Sequence, residues 1–101
     1  MSNLCGFILI SSLFVAGVLS GGPCSEINSL IASLSSSIRA QYQEVVRINS
    51  SRAKVDQLIA IDFLTTSLLN DDLLDMHDMA IVSRLNDLGP NGSICVDSFF
   101  S

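Results

Sequence analysis

Basic residues are scarce in this sequence, where five Lys and Arg stand against ten Asp and Glu to give a formal net charge of −5. Nucleic acids and anionic membrane surfaces both select for proteins rich in Lys and Arg. The charge therefore argues against partners of either kind, and we expect it mainly to keep the protein soluble.

Histidine is equally scarce, since His77 is the only one. A transition-metal site would need a second histidine or a free cysteine at ligand spacing. General acid–base catalysis by His77 would need a nucleophile to activate, and the sequence offers no candidate. We therefore predict that the protein is not an enzyme and has no metal or other cofactor, with His77 partly exposed on a helix.

Three acidic residues, Asp71, Asp72 and Asp75, match the DDxxD spacing with which helix carboxylates hold Mg²⁺ in prenyl-transferring enzymes. That chemistry needs a large helical cavity and a second acidic motif, which a chain of this length cannot supply. The helix dipole alone favours acids in the first turn of a helix, and this is the interpretation we adopt. Weak Ca²⁺ binding by Asp71, Asp75 and Asp78 is the remaining alternative.

Charge is absent from the first 25 residues, and residues 4–19 form a run of apolar and small side chains. A helix over this run would be about 24 Å long, shorter than the hydrocarbon core of a bilayer. We predict that residues 1–20 are a signal peptide and that residues 21–101 are one small, secreted, extracellular domain. An uncleaved signal anchor or a buried core helix is the alternative.

Cysteine occurs three times, and Cys5 is lost with the predicted signal peptide. Cys24 and Cys95 remain near the two ends, in a compartment where a lone pair is most simply a disulfide. Closing so long a loop contributes about 4 kcal/mol in the chain-entropy estimate. Two linkages stay open: a bond within one chain, or Cys24 of one copy bonded to Cys95 of another in an antiparallel dimer.

Two N-x-S sequons begin at Asn49 and Asn91. Such sequons accept N-linked glycans on surface turns of secreted proteins, provided that the source is eukaryotic. We therefore predict a glycoprotein with these two asparagines as candidate sites, which agrees with the predicted secretion.

Apolar residues at steps of three and four predict a first helix over residues 26–49, capped by Ser25. A second helix is predicted over residues 52–69. Its apolar residues spread around most of its circumference, which is typical of a central helix or of one shared with a partner.

A third helix is predicted over residues 72–88, with caps from residues 70–72 and a stop at Gly89 and Pro90. Residues 89–101 are expected to form a turn and a short apolar tail. The sequence thus predicts an all-α fold, a small bundle or hairpin of about three helices stapled by a disulfide between its ends.

Several apolar side chains are candidates for a partner or ligand surface. Helical spacing first places Tyr42 in the core, and the aromatic pair at the C-terminus is expected to cover the bundle before it meets a partner. The candidate surface residues are Tyr42, Phe63, Leu64, Phe99 and Phe100.

Secretion, small size and a disulfide together predict a helical interaction protein, an extracellular factor or effector that binds a partner. A short, acidic, helical secreted chain with Cys24 and Cys95 near its ends also resembles the layout of the secretoglobins. The resemblance implies two subunits paired antiparallel around a hydrophobic cavity, as a homodimer or heterodimer. It gives the alternative function, a dimeric carrier of small hydrophobic ligands. Its cavity residues would be Tyr42, Phe63, Leu64, Met76 and Met79.

Overall fold

The computed structural model describes residues 24–101, and the predicted signal peptide of residues 1–20 lies outside them. The described residues form five helices and no strand: α1 Ser25–Ser33, α2 Ser36–Ile48, α3 Lys54–Asp71, α4 Met76–Asp87 and α5 Pro90–Phe100. The all-α prediction is confirmed. The prediction of about three helices is wrong, because the first predicted helix is divided and the C-terminal tail is helical.

The first predicted helix is divided at Leu34 and Ser35, whose ψ angles of 149° and 152° are extended. Serine has a low helix propensity because its hydroxyl competes for backbone hydrogen bonds. Here the Ser35 amide and hydroxyl both donate to the Asp78 carboxylate of α4, at 2.9 and 2.6 Å. A carboxylate from a helix that is distant in the sequence therefore stabilises the break between α1 and α2. At the other end, Cys24 occupies the cap position of α1, and the predicted cap Ser25 lies inside the helix.

Asp75, and not residues 70–72, caps the helix that contains His77. Its carboxylate accepts a hydrogen bond from the Asp78 backbone amide at 2.8 Å, so α4 begins at Met76. Asp71 instead ends α3, and Asp72 follows in the left-handed conformation with a φ of 53°. The predicted start at residue 72 is therefore wrong by one turn of helix.

The C-terminal tail is the helix α5 and not a turn with a short apolar end. Gly89 takes a positive φ of 59°, and Pro90 then stands in the first turn, where its missing amide costs no hydrogen bond. Gly92 lets α5 approach α4, since a Cβ at this position would lie 2.3 Å from the Leu85 carbonyl oxygen. Gly89 and Pro90 therefore end one helix and begin the next.

The core is formed by all five helices, with α3 packed against α2, α4 and α5. Fully buried side chains include Tyr42 of α2, Ile61 of α3 and Val82 of α4. Apolar residues of α1 and α5 complete the same cluster. None of the helices in residues 24–101 has the length and apolar character needed to cross a membrane.

One disulfide joins the two ends of the described chain. Cys24, just before α1, bonds to Cys95 in α5, with their Cα atoms 5.3 Å apart. The helix α5, which follows the turn at Gly89, thus places Cys95 at the start of α1. Of the two linkages that the sequence left open, the structure has the bond within one chain.

Removing this disulfide with the double substitution Cys24→Ser and Cys95→Ser should lower the free energy of unfolding by about 4 kcal/mol. The reason is that the unfolded chain is then released from a closed loop of 71 residues. Urea unfolding followed by circular dichroism measures the difference. A disulfide-linked dimer on non-reducing electrophoresis would contradict the pairing within one chain.

Acid should weaken the fold through Asp78. Burial opposes ionisation, but the two hydrogen bonds from Ser35 and the neighbouring His77 outweigh it and hold the pKa of Asp78 below its usual range. A lowered pKa stabilises the fold above about pH 4, the unfolded value, and this contribution is lost as the pH falls through the folded value. We expect Asp78→Asn to cost about 1–2 kcal/mol at neutral pH, and less in acid.

The matched control for this pH dependence is Asp72→Asn. Asp72 is exposed and left-handed, a conformation that Asn also tolerates. We therefore expect Asp72→Asn to have wild-type stability in urea unfolding at neutral pH. The unfolding of both variants is also measured near pH 3. A cost for Asp78→Asn that stays the same at both pH values would contradict the assignment.

Candidate functional site

The solvent-facing side of α3 carries a line of large apolar residues, which we call the α3 row. Val55, Ile59 and Phe63 stand at every fourth position and are 62%, 61% and 73% exposed. The opposite side of the same helix is buried in the bundle through residues such as Ile61 and Thr65. This arrangement explains why apolar residues surround α3: one side serves the core, and the other faces solvent.

Two open grooves flank the α3 row. The α2–α3 groove encloses about 720 Å³, and the α3–α5 groove encloses about 370 Å³. The α2–α3 groove is lined by Gln41, Val45, Asn49, Arg52, Asp56, Ile59, Ala60, Phe63, Leu64, Ser67, Leu68 and Asp71. The α3–α5 groove is lined by Val55, Leu58, Ile59, Asp62, Gly89, Pro90 and Ser93.

Two of the five predicted surface residues lie at the α3 row and its grooves. Phe63 is exposed and Leu64 half-buried, and both line the α2–α3 groove. Phe99 and Phe100 are half-buried against the core, with their rings edge to face and 4.9 Å between centroids. Tyr42 has no exposed surface, so it cannot contribute to a partner surface.

Tyr42 instead forms a buried polar contact between α2 and α3. Its hydroxyl lies 2.8 Å from the Thr65 hydroxyl, which also donates to the Ile61 carbonyl oxygen at 3.1 Å. Burial raises the pKa of Tyr42 to about 12, and the hydrogen bond with Thr65 opposes this rise. The contact fixes how α2 packs on α3, and thereby the shape of the groove between them.

One sequon asparagine, Asn49, lines the α2–α3 groove, and the other, Asn91, lies beside the α3–α5 groove. Asn49 follows the last residue of α2, is half-buried, and donates to the Val45 carbonyl oxygen at 2.8 Å. Asn91 is exposed in the first turn of α5, next to Pro90 of the α3–α5 groove. Ser93, the third residue of its sequon, is only 6% exposed. Glycan occupancy at both sites remains a prediction.

The acidic residues near the start of α4 have partners within the fold. Asp75 caps its own helix and Asp78 accepts two hydrogen bonds from Ser35. His77 is exposed, and its Nε2 hydrogen-bonds the Ser33 carbonyl oxygen at 2.7 Å. In residues 24–101, no three His, Cys, Asp or Glu side chains are grouped so that they could hold a metal ion.

A further polar cluster, which the sequence analysis missed, joins α5 to α3. Asp97 is 6% exposed, and its carboxylate accepts hydrogen bonds from Lys54 Nζ, at 2.6 Å, and from Gln57 Nε2. Buried carboxylates need such partners because they cannot be solvated. The cluster could not be found from the sequence, since residues 89–101 were expected to be a tail. Its position indicates a structural role, which is to fix α5 along one edge of α3.

No protein-family model matches this chain, and no match is found among curated proteins or solved structures. Functional inference therefore rests on the chemistry and geometry of the chain itself. The α3 row and its two grooves are the strongest candidate, because three large apolar side chains stand together there in contact with water.

The ionisation of Tyr42 can be followed alone, because the chain has one tyrosine and no tryptophan. We expect an absorbance titration of tyrosinate to have its midpoint near pH 12, compared with about 10 for an exposed tyrosine. Because the pKa is raised in the folded state, Tyr42 in its neutral form contributes to the free energy of unfolding. This contribution is complete below about pH 10, the pKa in the unfolded chain, and is lost as the pH rises through the pKa in the folded chain.

The control variant for this titration is Thr65→Val. It removes the hydrogen bond between the two hydroxyls, so the fold should lose about 1 kcal/mol, while the midpoint should stay well above 10 because burial, the main cause of the raised pKa of Tyr42, is retained. Circular dichroism at each pH separates ionisation from unfolding. A midpoint near 10 with unchanged circular dichroism would show that Tyr42 is exposed.

Proposed function

We propose that this chain is a secreted, small helical interaction protein, an extracellular factor or effector that binds a protein partner through the α3 row. The observation that carries this proposal is the exposure of Val55, Ile59 and Phe63 on one side of a single helix. Burying a side chain of this size is worth roughly 1.5–3 kcal/mol. A partner that covers the α3 row would remove these side chains from water, and this free energy would stabilise the complex.

Secretion is supported by two independent features. Residues 4–19 form the uncharged apolar run that signal peptides require. Cys24 and Cys95 form a disulfide, a bond that persists in oxidising compartments and is rare in the cytosol. Both features fit a chain that functions outside the cell.

The α3–α5 groove indicates the chemistry of the partner. Val55, Leu58 and Pro90 give the groove an apolar lining, and Asp62 adds a carboxylate to it. A protein segment with apolar side chains for the groove and Lys or Arg opposite Asp62 would match both properties. The net charge of −5 would also speed the approach of a basic partner.

A dimeric carrier of small hydrophobic ligands, with a secretoglobin-like plan, is the second candidate. The α2–α3 groove favours it, since its volume of about 720 Å³ is that of a small-molecule site and Phe63 and Leu64 line it. Cys24 and Cys95 are bonded to each other, however, so they cannot link two subunits. Any dimer would therefore be noncovalent.

The interaction proposal is tested by cross-linking at Lys54, the only lysine, which precedes Val55 in the sequence and whose side chain is 66% exposed although its Nζ pairs with Asp97. An amine-directed reagent added to the secreted chain on cells of its source should join Lys54 to another protein. Val55→Glu places a charge in the contact and should weaken cell binding at least tenfold, because a desolvated charge is costly. Cross-linking yield and binding of labelled chain are measured together.

The control is Leu73→Glu, which adds the same charge at a residue that is 85% exposed and outside both grooves. It should leave binding and cross-linking unchanged. Equal effects of the two variants, or none, would contradict the proposed surface. Saturable uptake of an apolar fluorescent dye at micromolar levels, one per dimer, would instead favour the carrier.

A further inference from the structure

The loop between α2 and α3, residues 49–53, is largely open to solvent. Every residue from Ser50 to Asp56 is exposed, so the exposed stretch continues into the first turn of α3. The side chains of the loop are small or polar, and exposed loops of this kind are where proteases most readily cut folded proteins. The loop therefore presents its backbone to a protease that recognises one of its side chains.

Arg52 is the side chain in this loop that such an enzyme can recognise. The chain has five basic residues, and the other four lie within helices: Arg39 and Arg47 in α2, Lys54 in α3 and Arg84 in α4. The ion pairs of residues 24–101 engage three of these four and leave Arg52 without a carboxylate partner. Proteases of the trypsin type bind arginine through a carboxylate in their specificity pocket. An unpaired arginine in a loop meets that requirement.

The backbone after Arg52 is suited to cleavage. Ala53 has a φ of −59° and a ψ of 147°, which is an extended conformation, and extended segments are what strand-binding clefts accept. Ala53 also stands at the cap position of α3 without supplying a side-chain hydrogen bond. A missing cap costs a helix about 1 kcal/mol. The first turn of α3 therefore unwinds easily, which lengthens the segment that an enzyme can hold.

We propose that the Arg52–Ala53 bond is a processing site for a trypsin-like serine protease. Hydrolysis consumes one water molecule: the peptide C–N bond breaks, Arg52 gains a carboxylate and Ala53 gains an ammonium group. The product is two fragments that remain joined by the disulfide between Cys24 and Cys95, which lie on opposite sides of the cut. Cleavage involves the loop and not the α3 row, so the proposal does not depend on the proposed function.

The cut molecule keeps its fold, because several contacts join the two fragments. The first fragment contains α1 and α2, and the second contains α3, α4 and α5. Besides the disulfide, the Ser35–Asp78 and Tyr42–Thr65 hydrogen bonds connect them. The new ammonium group of Ala53 stands at the amino end of α3, where the helix dipole disfavours positive charge. Cleavage therefore loosens the first turn of α3, where the α3 row begins.

Limited digestion tests whether this bond is cut first. The sample is the oxidised chain after enzymatic removal of N-linked glycans, since Asn49 lies close to the bond, and the probe is endoproteinase Arg-C, which cleaves after arginine. Mass spectrometry should first detect a product heavier by one water, which reduction separates into fragments ending at Arg52 and beginning at Ala53. Arg52→Gln should slow the first cut at least about tenfold, because the other arginines must first leave a helix.

The matched control is Arg84→Gln, which removes an arginine from within α4 and should leave the rate of the first cut unchanged. The chain recovered from its source should also separate into the same two fragments on reduction, and so should Arg84→Gln expressed there, whereas Arg52→Gln should stay whole. A recovered wild-type chain that stays whole on reduction would overturn the proposal. So would a first cut at another bond, or equal cleavage of Arg52→Gln and the wild type.

The two proposals fail separately, because Arg52→Gln retains both Lys54 and Val55. If the chain is not cut but Lys54 still cross-links to another protein in a manner that depends on Val55, the inference fails and the proposed function stands. If the bond is cut as described but Lys54 joins no other protein, the proposed function fails and the processing site stands.

Discussion

The fold depends on the bond between Cys24 and Cys95, which ties the short first helix to the last one. Neither α1 nor α5 is long enough to be stable alone in water. Joined to each other, they close the bundle around α3 and complete one core. Asp97 then fixes α5 to α3 through Lys54 and Gln57. The other helices pack against the remaining sides of α3, and one side of α3 is therefore left exposed to solvent.

Local signals predicted the helical class and most of the helical residues, but not the points where the helices divide. The break at Ser35 depends on Asp78, which is 43 residues away in the sequence and in another helix. No local pattern contains that contact. Pro90 was interpreted as a stop, although a proline that ends one helix can equally begin the next. That error hid α5 and the buried cluster at Asp97.

The candidate site was predicted in part for a related reason. Periodicity shows which residues share a helical face, but in an apolar helix such as α3 it does not show which face is covered. Phe63 and Leu64 therefore qualified equally with Tyr42 as surface residues. The structure separates them: Tyr42 contacts Thr65 inside the bundle, while within residues 24–101 no helix covers Phe63.

The burial of Ser93 sets an order of events for the sequon that begins at Asn91. The glycosylating enzyme must recognise the serine as well as the asparagine, and in the folded chain that serine is packed inside α5. Cys95 lies in the same helix and closes the disulfide. A glycan at Asn91 would therefore have to be attached before α5 packs and the disulfide closes, so the predicted occupancy of this site would depend on how fast the C-terminus folds.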